Sequence, residues 1–338
     1  MPAEWHRHDA TWLVWPHVTA AWDEGLLGDV ESSYVDMIRA LVPGEAVRLL
    51  VADEAMERRA ALRIRSGGVS PDRVVFHRIP TMDSWIRDYG PTFVIRPGAD
   101  KPVGMVHWRF NAWGNKYPDV VRDGGVPRVI ADALRIPRFE PGIVLEGGSI
   151  EVNGAGDVLV TEQCLLHANR NPALSRIDIE GVLRDSLGVR NVLWLGEGVA
   201  GDDTDGHVDD VARFVNPTTV VCAVEENPAD ENHKPLRENF RRLRAMRGGE
   251  GRPLEVVPLP TPGRVELGGR RLPASYANFF IANAAVLVPF FGHPNDDKAL
   301  GILKRFFPDR RVTGIPARAM VAGNGSVHCL SQQQPAAG

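Results

Sequence analysis

Apolar residues recur at three- and four-residue spacing over DVESSYVDMIRAL. Val30, Tyr34, Met37, Ile38 and Leu41 thereby share one side of a predicted helix at about 29–42. The next apolar run, AVRLLVAD, has the length of a buried strand. The same alternation predicts helices near 53–65, 119–135, 173–187, 228–247 and 296–307, with strands RVVFHRI, NVLWL, LEVVPL and RVTGI between them. Helix and strand alternate throughout, so the class is α/β. One stretch, 272–295, carries no Asp, Glu, Lys or Arg and is long enough for a membrane span. Asn278, Asn283 and Pro289 interrupt it, which predicts instead a hairpin of two buried strands, 279–282 and 285–291.

A second pattern is superimposed on the first: a polar or glycine-rich knot followed by two short apolar strands. It recurs in DSWIRDYGPTFVI, LEGGSIEVNGAGDVLVTE, GHVDDVARFVNPTTVVCAV, SYANFFIANAAVLVPFF and GNGSVHCLSQQQ. With Asp88, Glu146, His207, Asn278 and Cys329 as markers, the intervals are 58, 61, 71 and 51 residues. A loose period of about sixty suggests a radial array of repeated supersecondary units. No low-complexity linker divides the chain, so residues 1–335 are expected to form one domain. The end, SQQQPAAG, reads as a fraying tail, with 336–338 flexible beyond the domain.

Composition narrows the function classes. With 43% apolar and 24% charged residues the chain is an ordinary globular one, and a formal charge of −4 offers no basic field for nucleic acid. Three cysteines, 164, 222 and 329, are too few for a disulfide scaffold and fit a reducing compartment. Neither Cys-x-x-Cys, His-Glu-x-x-His nor a P-loop is present, so structural zinc and P-loop chemistry drop out. The first residues lack the apolar run of a signal peptide, and the expected location is cytoplasmic. No membrane partner is expected, and the sequence leaves homo-oligomerisation open.

The candidate chemistry lies in the knots. Cys222 and Cys164 sit in apolar runs and read as small buried hydrophobes. Cys329 lies beside His328 among Gly, Asn, Ser and Gln, a setting that suits either a reactive thiol or a buried strand cysteine. A base is offered by His207 in GDDTDGHVDD, where five aspartates crowd one loop. Read as a strand, His207-Val208-Asp209 delivers the histidine and Asp209 to the same face. Asp88 precedes Gly90 and Pro91, and Glu146 precedes two glycines; taken singly, Asp88 reads more readily as a surface ion pair with Arg87 and Glu146 as a turn residue. Together, one Cys, one His and three carboxylates at matching points of recurring units suggest one central pocket. Carboxylates facing a thiol call for a cation between them, and a planar guanidinium matches them in bidentate geometry.

The ordered motifs MPAEW, SWIRDYGPTFV, FNAWGNKYP, LEGGSIEVNGAGDVLVTEQCLL, DGHVDDVARFV, SYANFFIAN and GNGSVHCLSQQQP closely resemble the agmatine deiminase and bacterial-type peptidylarginine deiminase family. The resemblance covers the chain to about residue 335. It implies a pentein α/β-propeller, five ββαβ-type units around a pseudo-fivefold axis with a central site. Carried over by position, it makes Cys329 the nucleophile, His207 the general acid and base, Asp88 and Asp209 the guanidinium-binding carboxylates, and Glu146 the support of His207 and substrate. Trp85 falls at the aromatic position flanking the substrate, and Gly325 in the binding loop. The implied reaction is hydrolysis of agmatine to N-carbamoylputrescine and ammonia through a covalent thiouronium, with no metal or organic cofactor. Peptidylarginine or another small guanidine is the alternative substrate; a metal-dependent hydrolase built on GDDTDGHVDD and a silent guanidine-binding module are further readings. Two departures touch the site. Gly323-Asn324-Gly325-Ser326-Val327-His328-Cys329 replaces Gly-Gly-Gly-Asn-Ile-His-Cys, and Asn115 stands where FNAWGN usually has glycine.

Overall fold

Short apolar strands alternate with helices that cover them, and the strands pair in one repeated order. The computed structural model describes residues 1–17, 21–249 and 251–337. Among them, five sheets follow the same scheme: an antiparallel pair, then a helical crossover to a third strand parallel to the second. The second unit pairs Thr92–Ile95 with Val103–Val106 and ends in Arg138–Phe139. The third uses Glu151–Val152, Asp157–Thr161 and Asn191–Leu195. Ala212–Asn216, Thr219–Val224 and Glu255–Pro260 make the fourth. The fifth is Phe280–Ile281, Ala285–Phe290 and Arg311–Pro316, so the charge-free stretch is the expected hairpin. No described helix is long and apolar enough to cross a membrane.

The first unit closes the array with the other end of the chain. Its strand His8–Val14 pairs antiparallel with Ser331–Pro335 and parallel with Ala46–Val51, which in turn pairs with Val74–Arg78. SQQQP is therefore a buried strand and not a fraying tail. Glutamine reads as tail because it is polar, but here the backbone of the run pairs with His8–Val14 and one side chain finds a partner, Trp12 Nε1 donating to Gln334 Oε1 at 3.0 Å. Ala336 N donates to Arg7 O, and Gly338 lies outside the described residues.

The helices match their patterns with adjusted ends. Glu24–Leu41 starts at Asp23, whose carboxylate accepts from the amides of Gly25 and Leu26, and buries Val30, Tyr34, Met37, Ile38 and Leu41 as the spacing predicts. Arg176–Leu187 opens with a Ser175–Asp178 capping box. The helix expected at 119–135 is instead a 3₁₀ turn, Pro118–Gly125, followed by Val126–Leu134. Asp123 explains the break: its carboxylate accepts from the amides of Met82 and Asp83 and is held off a helical path. The largest apolar cluster spans the first and fifth units, from Trp12 and Leu49 to Phe280 and Leu287, and smaller ones underlie the third and fourth. Each fully buried Leu or Val in them contributes about 1.5–3 kcal/mol.

Candidate active site

Each knot ends where the antiparallel pair of a sheet begins, so all five meet at one place. Asp88 sits on the single turn Ile86–Tyr89, just before Thr92–Ile95. Glu146 caps the 3₁₀ turn Gly147–Ser149, and the glycines are there because two knots touch. A Cβ at Gly147 would lie 2.1 Å from the Arg87 carbonyl oxygen, and one at Gly148 would lie 2.5 Å from His207 Nδ1 and 2.8 Å from Asp88 Oδ1. Instead the Gly148 amide donates to Asp88 Oδ1 at 3.1 Å. His207 precedes a second 3₁₀ turn, Val208–Asp210, so the strand alternation expected of His207-Val208-Asp209 is not how they converge. A tight turn, with three carboxyl or imidazole groups packed inward, brings them together.

The five residues singled out by position share one buried cluster. His207 Nδ1 lies 3.6 Å from Asp88 Oδ1, and His207 Nε2 lies 3.9 Å from Glu146 Oε2. Neither ring nitrogen has a hydrogen-bond partner, although the residue is 1% exposed. Cys329 Sγ is 3.6 Å from Asp209 Oδ2. Cys329, Asp88 and Trp85 line a cavity of about 400 Å³. Trp85 also packs on Trp22, so it is at once pocket wall and core. Gly325 fits beneath it because a Cβ would come within 2.6 Å of the Trp85 ring.

The electrostatics follow from placing these groups out of water. Burial, together with Asp209 and Glu146, raises the Asp88 pKa to about 6, even though His207 pulls it down. Burial works against a charged His207, but the Asp88 carboxylate, with Cys164 and Glu146, outweighs it and raises the imidazole well above its usual range. For Cys329, burial and then Asp209, Asp210 and Asp88 push the thiol well above its ordinary value, opposed by Asn278. Burial and the surrounding carboxylates thus favour a neutral Cys329 thiol and a charged His207 imidazolium, and a cation entering beside Asp88 would ease the cost of both charged carboxylate and thiolate.

Several partners carried no signal of their own. Trp113 donates from Nε1 to Asp88 Oδ2 at 2.9 Å. It does so from a strained turn in which Ala112, Trp113, Gly114 and Asn115 all have positive φ. Asn278, a repeat marker and a break in the charge-free stretch, donates from Nδ2 to Cys329 Sγ at 3.1 Å and accepts from the His328 amide. His328 bridges Asp209 at 2.7 Å and Glu4 of the first motif at 2.8 Å. Arg170 Nε holds Glu146 Oε1 at 2.7 Å. Cys164 is in the core as expected, and its sulfur also lies within 4.8 Å of a His207 ring nitrogen and a Glu146 carboxylate oxygen. Cys222 is in the core as expected.

The acidic loop divides its labour. Asp202 accepts from the amides of Gly206 and His207, and Asp205 pairs with Arg170 and Lys116. Asp203 faces the cavity mouth, where its Oδ2 accepts from Tyr117 and from Asn324 Nδ2, and Asn324 Oδ1 accepts from Arg270. The five aspartates therefore do not converge on one cation, contrary to the metal-hydrolase reading. Asn115 at φ 63° and, within the altered loop, Asn324 at φ 73° stand in the left-handed region, where asparagine is the best-tolerated side chain after glycine; Ser326 and Val327 are the loop's other changes.

Known proteins were compared with this arrangement. Agmatine deiminase from Stutzerimonas stutzeri is 39% identical over 365 residues, covering 99% of this chain and 95% of its own. The Medicago truncatula agmatine deiminase is 37% identical over 367 residues, at 99% and 96% coverage. The structure of Enterococcus faecalis agmatine deiminase superposes with a TM-score of 0.92 at 32% identity, covering 100% and 96% of the two chains. A substrate-bound C. jejuni agmatine deiminase with a cysteine-to-serine substitution gives 0.88 at 29%, covering 99% and 95%. An amidinotransferase of saxitoxin biosynthesis from Microseira wollei shares only the fold, with a TM-score of 0.55 at 10% identity, covering 100% and 97%. The fold is thus the pentein. A family model of Porphyromonas-type peptidyl-arginine deiminases matches residues 1–335, and the chain belongs to that family.

Proposed function

We propose that this chain hydrolyses the guanidinium of agmatine to N-carbamoylputrescine and ammonia, with Cys329 as nucleophile. The observation that carries the reading is a thiol at the cavity wall beside the Asp88 carboxylate, with Asp209 buried behind it 3.6 Å from the sulfur, the carboxylates holding the thiol neutral. A guanidinium facing Asp88 and Asp209 supplies the balancing positive charge and orients its central carbon toward Cys329 Sγ. Its arrival favours the thiolate, whose proton leaves to solvent. Sulfur attacks the carbon, the His207 imidazolium gives its proton to the departing ammonia, and a thiouronium remains. Neutral His207 then takes one proton from water as the oxygen adds to the carbon; the C–S bond breaks, the hydroxyl proton passes to solvent, and thiolate and the ureido product are returned. Glu146, fixed by Arg170, keeps His207 in position and helps it regain charge. No step calls on a metal or organic cofactor.

The mouth favours a short cationic tail. Asp203 and Asp119 line the outer cavity, and the Asn324 bridge from Asp203 to Arg270 crosses it. A free aliphatic amine suits this rim better than a peptide backbone, and a small free guanidine accords with a cytoplasmic enzyme. The test is ammonia release from agmatine, free arginine and a blocked arginine peptide, with intact-mass detection of the adduct. Turnover of agmatine, abolished in Cys329→Ala, is expected. Release from the peptide but not agmatine would move the assignment to protein modification, and no release from any of them by folded protein would overturn the reading.

A further inference from the structure

Behind the carboxylates of the pocket lies a second trio that the proposed reaction leaves partly unexplained. One carboxylate oxygen of Glu146, Cys164 Sγ and one ring nitrogen of His207 all lie within 4.8 Å of one another, and all three residues are buried. His207 is 1% exposed, yet both its ring nitrogens lack a hydrogen-bond partner, which is costly for a buried polar group. The other two are fixed from outside. Arg170 Nε grips Glu146 Oε1, leaving Oε2 on the His207 side. Thr161 Oγ1 accepts from the Cys164 amide and so sets the start of the turn Glu162–Leu165.

One sulfur, one imidazole nitrogen and one carboxylate oxygen form a mixed donor set suited to a borderline-soft ion in tetrahedral geometry, with bonds of about 2.0–2.3 Å. Such bonds place ligand atoms about 3.3–3.8 Å apart, so contraction by about 1 Å through side-chain rotation suffices. We propose that Glu146, Cys164 and His207 form a binding site for Zn²⁺ whose occupancy shuts the enzyme off. The ion displaces the thiol proton and the imidazolium proton, and its fourth position is left to water. Zinc takes the basic lone pair of His207, so the ring can no longer cycle between imidazole and imidazolium; inhibition therefore rests on the reading of His207 given above, whereas binding does not. A rival trio, Asp209, Asp210 and Cys329, has the same spread. It is the weaker candidate because His328 already holds Asp209 Oδ2 and Asn278 already holds Cys329 Sγ, and it contains no nitrogen donor.

Co²⁺, which reports thiolate ligation by near-ultraviolet charge-transfer absorption, is the probe, with Zn²⁺ as competitor on the full chain. Wild type and Cys329→Ala should both show the band at one ion per chain. Cys164→Ser should lose the band and bind Zn²⁺ at least about tenfold more weakly. Ammonia release, normalised to each variant's own rate in chelator, should be correspondingly less sensitive to Zn²⁺ in Cys164→Ser. Should that variant not fold, the double variant Cys329→Ala/Cys222→Ala has Cys164 as its one remaining thiol and should keep the band. No band in wild type, or a band lost with Cys329 and kept without Cys164, would overturn the site. If no guanidine is turned over at all, the reaction fails while the cobalt spectrum still decides the metal site.

Discussion

Cys222 and Cys329 are both buried thiols with raised pKa values, and they differ in what raises them. For Cys222, in the strand Thr219–Val224, burial is the whole cause, and its surroundings are apolar residues such as Phe214 and Leu236. For Cys329, burial is joined by Asp209, Asp210 and Asp88, and Asn278 opposes them. A desolvated thiol stays inert whatever enters the protein, because nothing near it can change. A thiol held neutral by surplus carboxylates is released by any cation that balances them. The distinction lies in the removable part of the cost, and it can be attacked experimentally.

The largest effect should come from the nucleophile. Cys329→Ala should lower ammonia release from agmatine by about four orders of magnitude or more, while Cys222→Ala stays within about twofold of wild type. Equal loss in both would erase the contrast.

Next is Asp88→Asn, which removes the charge and keeps one of the two oxygens that accept from Trp113 and Gly148, as the neutral acid does. Its kcat/KM should fall by about 10²–10³, as for the loss of one electrostatic partner at the reacting group. Stability should move the other way. The folded-state pKa of Asp88, about 6, exceeds the ordinary value of 3.8, so the folded protein binds this proton more tightly than the unfolded chain. The destabilisation it causes is therefore present above about pH 6 and disappears as pH falls toward 3.8. Asp88→Asn should melt a few degrees above wild type at pH 7.5, with the gap closing by pH 4. A variant less stable than wild type at pH 7.5 would show that the carboxylate is not strained by its surroundings.

What the sequence made legible was the knots, because their chemistry is local: an acid or thiol next to glycine, ahead of a strand. Asp88, Glu146, His207, Asp209 and Cys329 could be read that way, and the structure brings all five together. The groups that hold them could not. Glu4 reaches His328 across 324 positions and Trp113 reaches Asp88 across 25, and no periodicity encodes such pairings. Asn278 left a trace, since an amide at the start of an apolar strand pair must be satisfied once buried. Gln332 to Gln334 misled for the converse reason: a polar run resembles a tail until a missing edge strand in the first sheet gives it a partner. The five-unit architecture was visible as spacing, and its closure by the C-terminal strand was not.

A subtler probe acts on a group that favours the Cys329 thiolate. Asn278→Ala removes the Nδ2 donor 3.1 Å from Sγ, so the resting thiol should rise further in pKa and its alkylation by iodoacetamide should slow about tenfold. Agmatine should still accelerate Cys329 loss of its proton in this variant, since the carboxylates remain. Cys222 should resist the reagent in both proteins. Alkylation unchanged by the substitution would mean that the amide only positions His328 and Ser326, whose groups also bond to Asn278 Oδ1.

The smallest effect is the sharpest control. Cys222 faces Ala212 in the antiparallel neighbour and Pro258 in the parallel one, in a fully apolar layer. Cys222→Ala removes one sulfur from that layer and leaves a cavity, at a cost of about 1–2 kcal/mol. Because among the described residues burial alone raises its thiol, this loss should be the same at pH 6 and pH 8.5 and unaffected by saturating agmatine beyond the stabilisation that the ligand gives wild type. A loss that grows with pH would reveal a titrating thiolate at Cys222. That would place a hidden charge in the fourth unit and make burial alone an insufficient reason for its silence.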